Sequence, residues 1–423
     1  MLVESLRFQK PTNAKLETVI CKQIKTLVLT DINTKMEKPQ FELTNEQRKY
    51  LGITPVENNW ELVKLFDNHV YFDGDIIRKE ITVSEQSYFE RDLYEKTAEN
   101  RTILLPKTEK GKPKKLNFTA TQAFRGADVY FAFSDSYLTI SSFTTQITYY
   151  AERFKDKDLG FLKTWLNKWI AETSEKDLQE IDTFKNAERK HYKYKEGDFF
   201  AFKIGRRQWG FGRILIDVQK TIKANNFQRD EHYGLTNLMG KSLIVKVYHK
   251  ISNDLNVDLK ELSETMALPS QVIMDNNFFY GENPIIGHKP LENDEYDMLI
   301  SYSQSINSDN YHKVYLQYGF IYKEIDISKF NKYLRYDDKT LYLGYEENPY
   351  RKESTGYALS TDTLQKCIET KSNLPYWECE DERYDRKLDL RNPANNEIKK
   401  DIFKAFGLDA DKTYEDNLKI ASR

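Results

Sequence analysis

Two runs of β-forming residues, Phe199 to Ile204 and Trp209 to Ile216, flank the short turn Gly205-Arg206-Arg207-Gln208. That pattern specifies an antiparallel hairpin, and a hairpin needs further strands or a helix to cover its apolar face. Further strand-like runs follow at Ser242 to Tyr248, Gln271 to Met274, Tyr296 to Tyr302 and Val314 to Ile325. In the third of these, Tyr296, Met298, Ile300 and Tyr302 alternate with the period of a half-buried strand. Only Leu255 to Met266 reads as a helix in this stretch. The expectation for residues 195–330 is therefore a twisted, partly closed antiparallel sheet.

The flanking segments read differently. Residues 1–155 form an α+β domain of unknown role, in which Thr44-Asn45-Glu46-Gln47 is a capping box opening a short helix. Strands are expected over Asp128 to Phe133 and Tyr137 to Thr148, with a turn at Ser134-Asp135-Ser136. Gly111 and Pro113 break the stretch from Leu105 to Leu116 into an exposed loop. Over residues 156–194, Phe161, Leu162, Trp165, Leu166, Trp169 and Ile170 fall on one stripe of an amphipathic helix, and Leu178, Ile181 and Phe184 mark a second. This reads as a helical connector between two mainly β units.

Residues 331–423 form an aromatic and polar extension, with Tyr333, Tyr336, Tyr342, Tyr345, Tyr350 and Tyr357 spread along it. Thr361 or Asp362 would cap a helix carrying Leu364, Cys367 and Ile368. Asn392-Pro393 fits the N-cap and first position of another, with Ile398, Ile402, Phe403 and Phe406 inside and Gly407 at its stop. The fold class is α+β: mainly antiparallel β units joined and flanked by helices.

Composition narrows the functional classes. Among 423 residues, 64 Lys and Arg against 66 Asp and Glu leave a net charge of −2, so no global field favours nucleic acid or an anionic membrane. With 28 Tyr, 24 Phe and 5 Trp the chain is too aromatic to be disordered. Cys21, Cys367 and Cys379 make no disulfide framework and no C-x-x-C pair. The opening MLVESLRFQK lacks a basic start followed by an apolar run, and no stretch approaches the ~20 apolar residues of a membrane helix. A reducing cytoplasm is the expected compartment, with no membrane partner.

No catalytic motif is complete in the sequence. Gly234 to Ser242 resembles a phosphate-binding loop but has five residues between its glycines instead of four, and leads into a β-like run. Gly205, Gly210 and Gly212 lack the strand-to-helix setting that makes such glycines a phosphate cradle. The oxygen-rich run from Asp254 fails as a calcium loop because Leu259 stands at the glycine position and Thr265 at the glutamate position. None of His69, His191, His232, His249, His288 and His312 pairs with another at metal-ligand spacing. Cys379 lies between Glu378 and Glu380, whose charge disfavours a thiolate. No catalytic residue, cofactor or metal is expected.

Two patches suit a partner. Arg206 and Arg207 sit at the hairpin tip beside Trp209, a combination fitted to stacking and bidentate recognition. Their plainer reading is an exposed turn followed by core aromatics. Opposite in sign, Trp377 lies among Glu378, Glu380 and Asp381, where a basic protein would find both steering charge and an aromatic anchor. The plainer reading there is a polar loop with one core tryptophan. Lys107, Lys110, Lys112, Lys114 and Lys115 read as a solvated basic loop.

Three blocks carry a family resemblance. Glu196-Gly197-Asp198-Phe199-Phe200-Ala201-Phe202, followed by Trp209 to Leu215, resembles the opening hairpin of the immunity protein 26 family. Pro284 to Leu291 is similar to that family's central I-G-H or I-G-N turn, and Tyr315 to Glu324 to its closing strand. The resemblance implies a bacterial cytoplasmic antidote, encoded beside a polymorphic toxin and protecting its producer by binding that toxin, with no catalysis of its own. Asn283 stands where the resemblance implies a tryptophan or similar residue, and no toxin-contact residue is carried across. Two other readings remain at this point. One is a nucleic-acid-binding β-barrel module; the other is an enzyme with a dispersed site around Asp230, Glu231 and His232 or around His288.

Overall fold

A computed structural model of the chain describes residues 38–65, 68–96, 126–225, 235, 240–292, 295–305, 312–334, 376–378 and 388–422. The chain divides into two compact units, one ending at Lys190 and the other spanning His191–Arg423. It is an α+β protein; among the described residues the paired strands are antiparallel, in three sheets that are open, not closed.

The first unit is a seven-stranded meander: β1 (Glu61–Leu65), β2 (Asn68–Asp73), β3 (Ile76–Val83), β4 (Tyr88–Lys96), β5 (Ala127–Phe133), β6 (Tyr137–Ser142) and β7 (Thr148–Arg153) pair in sequence order. Helices α1 (Asn45–Leu51), α2 (Leu159–Ala171) and α3 (Glu175–Lys185) share its core. The capping box forms: the Gln47 N–H donates to Thr44 Oγ1 at 3.1 Å and the Thr44 N–H to Gln47 Oε1 at 2.9 Å. Asp158 caps α2 by its side chain alone, accepting the Phe161 N–H at 2.9 Å. Leu162, Trp165, Leu166 and Trp169 turn inward against Phe131, Phe133 and Ile140. The helices expected to join two β units are thus packed on the first.

One strand expected here is two. The run from Tyr137 to Thr148 breaks after Ser142, and Gln146 takes a positive φ of 61° in the turn before β7. Aromatic and β-branched residues continue through that turn and hide it from a reading by composition.

The second unit holds a five-stranded sheet ordered β11-β10-β9-β8-β12, from β8 (Asp198–Ile204), β9 (Gln208–Asp217), β10 (Ser242–Ser252), β11 (Ala267–Met274) and β12 (Ile285–His288). A separate three-stranded sheet follows: β13 (Ile300–Gln304), β14 (Lys313–Tyr318) and β15 (Ile321–Asp326). Helices α4 (Val218–Asn225), α5 (Leu259–Glu264), α6 (Asn276–Phe279), α7 (Asn396–Ala405) and α8 (Tyr414–Ala421) complete it. The single partly closed sheet expected for residues 195–330 is therefore two open ones. β12 stops at His288, and Pro290 has no N–H to extend the ladder.

Local boundaries shift for identifiable reasons. Pairing in β13 begins at Ile300, not Tyr296, and the strand is buried on both faces, with Ser301 and Ser303 as enclosed as Tyr302. Val314 to Ile325 folds back at Gly319 into β14 and β15. Only Leu259–Glu264 of the predicted helix from Leu255 to Met266 is helical, starting at the Asp258 cap. Asn392 caps a single 3-10 turn, Pro393–Asn395, before α7 begins, and Gly407 follows the helix with φ 70°. The expected loop at 105–116, the helix near Leu364 to Ile368, the tyrosines from Tyr336 to Tyr357, and Cys21, Cys367 and Cys379 lie outside the described residues.

Candidate functional site

The glycine-bearing blocks singled out by sequence converge in the second unit. β8 and β12 pair so that His288 stands opposite Asp198. His288 Nδ1 lies 2.8 Å from Asp198 Oδ1, and Asp198 Oδ2 accepts the Lys195 N–H at 2.9 Å. Gly197, with φ 88°, comes so close to this turn that a Cβ would sit 2.5 Å from the Lys289 carbonyl oxygen. Only glycine allows both the backbone conformation and that approach.

Arg213 on β9 completes the node. It pairs across the ladder with Phe199, and its guanidinium carbon lies 4.6 Å from that ring's centroid. The side chain is fully buried. Its Nη2 donates to the Lys289 and Pro290 carbonyls at 2.7 and 2.9 Å, and its Nη1 to Glu295. Lys246, opposite Arg213 on β10, adds its Nζ at 3.5 Å from the same carboxylate. Burial pushes the Lys246 ammonium down, against the pull of Glu295. Burial alone would raise Glu295; the Glu292 N–H and the charges of Arg213 and Lys246 outweigh it and hold the carboxyl below its ordinary range. Burial also pushes the neighbouring Tyr248 phenol up to about 12. The charged groups here answer one another. Chemically the arrangement is a clamp that fixes Lys289, Pro290 and Glu295 against three strands. Among the described residues, no group of His, Cys, Asp and Glu is arranged to hold a metal ion.

The hairpin tip lies at the far end of β8 and β9. Gly205 turns with φ 58°, Arg207 is exposed and Arg206 half-buried. Lys203 Nζ lies 4.5 Å from the Trp209 ring centroid and donates to the Arg206 carbonyl at 3.2 Å. Trp209 is half-buried and packs on the cluster of Phe199, Phe211 and Tyr248. Trp377 lies in a 3-10 turn, Tyr376–Glu378, and packs on the cluster of Phe200, Phe202 and Phe278. Alternate residues of β8 feed those two clusters, so the two tryptophans belong to opposite faces of the sheet. Glu378 is exposed, whereas Glu380 and Asp381 lie outside the described residues, as do Asp230, Glu231, His232 and the lysines from Lys107 to Lys115. Gly240-Lys241-Ser242 leads straight into strand β10, the wrong element for a phosphate loop. Asn283 is buried, its N–H donating to the Asn277 carbonyl at 3.1 Å.

The segment that builds this clamp is also the one that family comparison selects. Residues 195–312 match the model of the Immunity protein 26 family. No curated protein matches the chain, and no solved structure does. The matched segment takes in β8 to β13 and the clamp residues Gly197, Asp198, Arg213, Lys246, His288, Lys289, Pro290 and Glu295. It ends one residue before β14, so the block from Tyr315 to Glu324 falls beyond it. Yet among the described residues β13 pairs with β14 alone, and α7 and α8 fill the same core as β13, β14 and β15. The matched segment therefore depends on chain outside it for its own last strand.

Lys246, Glu295 and the carbonyls of Lys289 and Pro290 escaped the sequence reading. Arg213 and Glu295 meet across 82 positions, and no spacing rule links them.

Proposed function

We propose that this protein is an immunity protein that binds a cognate toxin and neutralises it by occluding the toxin's working surface, without catalysis of its own. The match of residues 195–312 to Immunity protein 26 carries this reading. The internal pairing of Arg213 with Glu295 and of Asp198 with His288 supports it, because these four residues act as scaffold. The toxin is a bacterial polymorphic toxin encoded by a neighbouring gene, and the pair meets in the cytoplasm. Binding of this kind uses a standard interface of about 1,600 Å² in total, with charge setting the encounter rate and a few aromatic or arginine anchors setting affinity.

The contact residues we assign are Arg206, Arg207 and Trp209 at the hairpin, and Trp377, Glu378, Glu380 and Asp381 in the tail. Since the two tryptophans pack on opposite faces, the sets are to be replaced separately. The toxin encoded next door is expressed with and without this protein, and growth is measured together with complex size by light scattering. The expected result is restored growth and a stoichiometric complex that survives moderate salt. Alanine at Arg206 and Arg207, or at Glu378, Glu380 and Asp381, should weaken that complex. Unchanged affinity in both sets overturns the surface assignment. Absence of any complex, with co-purifying nucleic acid that salt removes, overturns the immunity reading itself.

A further inference from the structure

On the first unit, outside the matched segment, Arg78 of β3 lies between two aromatic rings. Its guanidinium carbon is 5.4 Å from the Trp60 ring centroid and 5.0 Å from that of Tyr94. The rings are themselves held. Trp60 packs against Tyr71 at 6.4 Å between centroids, and the Tyr94 hydroxyl donates to Asp128 Oδ2 at 2.8 Å. Tyr94 is nonetheless 52% exposed, the most exposed of the large apolar side chains described.

Arg78 differs from Lys79 and Arg91 on the same two strands in what answers it. Lys79 holds Asp92 at 2.6 Å and Arg91 holds Glu80 at 2.6 Å. For Arg78 the carboxylate in range is Asp73, at 4.0 Å, beyond hydrogen-bond distance. Its Nε is buried without a hydrogen-bond partner among the described residues, while the side chain as a whole is 30% exposed. A guanidinium stacked on two rings has already lost its side-chain freedom, so a carboxylate reaching the exposed part of the side chain meets a pre-formed fork. Arg, Trp and Tyr are also the residues that dominate protein interfaces energetically.

We infer that Trp60, Arg78 and Tyr94 form a protein-docking site on the first unit, taking an acidic side chain from an extended segment of a partner protein. The carboxylate pairs with the Arg78 fork while apolar neighbours lie on Tyr94. Asp73, 4.0 Å from Arg78, competes with an incoming carboxylate and disfavours a multiply charged phosphate chain more strongly still. This inference does not rest on the immunity reading.

The full chain is titrated with a fluorescent decapeptide alternating glutamate and leucine, its glutamine counterpart, and a single-stranded oligonucleotide. Binding of the glutamate peptide alone is expected. Arg78→Lys keeps the charge but loses the fork and the stacking, and should weaken binding about fivefold or more. Tyr94→Ala should do the same. Asp73→Asn removes the competing internal anion and should tighten binding about threefold, a gain that misfolding does not mimic. Lys168→Gln, on the exposed face of α2, should leave it unchanged. No binding by the parent protein, equal binding by Arg78→Lys, or preference for the oligonucleotide overturns the site.

Discussion

His288 and Asp198 join the edge strand β12 to β8 through a 2.8 Å contact whose acceptor also holds the Lys195 N–H. A carboxylate accepts, so His288 Nδ1 is the donor. Asparagine carries an N–H the same number of bonds from its Cα and can replace that donor. His288→Asn should therefore cost less than about 0.5 kcal/mol, whereas His288→Ala, leaving Asp198 short of a partner in a largely buried place, should cost about 1–2 kcal/mol. Urea unfolding of the two variants checks this. Equal losses would mean that the imidazole contributes by packing, not by its hydrogen bond.

Arg213 is the most consequential side chain of the clamp. Its removal leaves the Lys289 and Pro290 carbonyls without this donor and Glu295 with Lys246 and the Glu292 N–H. Arg213→Leu should cost about 3–5 kcal/mol. Arg213→Lys should recover only a minor part, because an ammonium on a flexible stem does not span Lys289, Pro290 and Glu295 together. The shift in denaturation midpoint orders the three proteins. If Arg213→Lys matches the parent, planar geometry is not what the site requires.

The contrast between Thr44 and Arg213 explains what sequence could and could not reveal. Thr44 and Gln47 act over three positions, and the stripe from Phe161 to Ile170 repeats with the helical period, so both were legible. The hairpin around Gly205 was legible for the same local reason. The turns at Gln146 and Gly319 were not, since β-forming residues run straight through them. Arg213 with Glu295, and Arg78 with Trp60 and Tyr94, are made by strand pairing and loop return. Their residues have no fixed spacing, and only the folded chain assembles them.

Beneath α1, Lys79 lies between Glu90 at 2.7 Å and Asp92 at 2.6 Å, and Arg48 Nε donates to Glu90 at 2.8 Å. Burial works to raise Glu90, but Lys79 and Arg48 overcome it and hold the carboxyl below its ordinary value. A carboxyl lowered by folding stabilises the native state above its unfolded value of about 4.3, and that contribution is lost as pH falls through the folded value. Asp92, raised chiefly by burial, acts in the opposite sense, its contribution present at low pH and lost as pH rises. Stability of the first unit should thus fall below about pH 4, with Asp92 softening the loss. Glu90→Gln should cost about 3 kcal/mol at neutral pH and flatten the acid limb. Urea midpoints followed from pH 7 to pH 3 measure both effects, and an unchanged acid limb in Glu90→Gln excludes Glu90 as its source.

Gly319 turns β14 into β15 with φ 56°, and a Cβ there would lie 2.7 Å from Tyr414 Cε2. Tyr414, at the start of α8, accepts the Phe320 N–H on its hydroxyl at 2.8 Å and stacks edge-on with Tyr318 at 5.0 Å. The C-terminal helix is therefore keyed to this turn. Gly319→Ala meets two penalties, about 1 kcal/mol for the left-handed backbone and about 1–3 kcal/mol for the collision with the ring. Tyr414→Leu removes the second penalty and not the first. In that background Gly319→Ala should cost only about 1 kcal/mol, a coupling that thermal or urea unfolding of the four proteins in the double-mutant cycle reads directly. If alanine costs the same with and without the tyrosine, the close approach is not what demands glycine, and backbone conformation alone explains the residue.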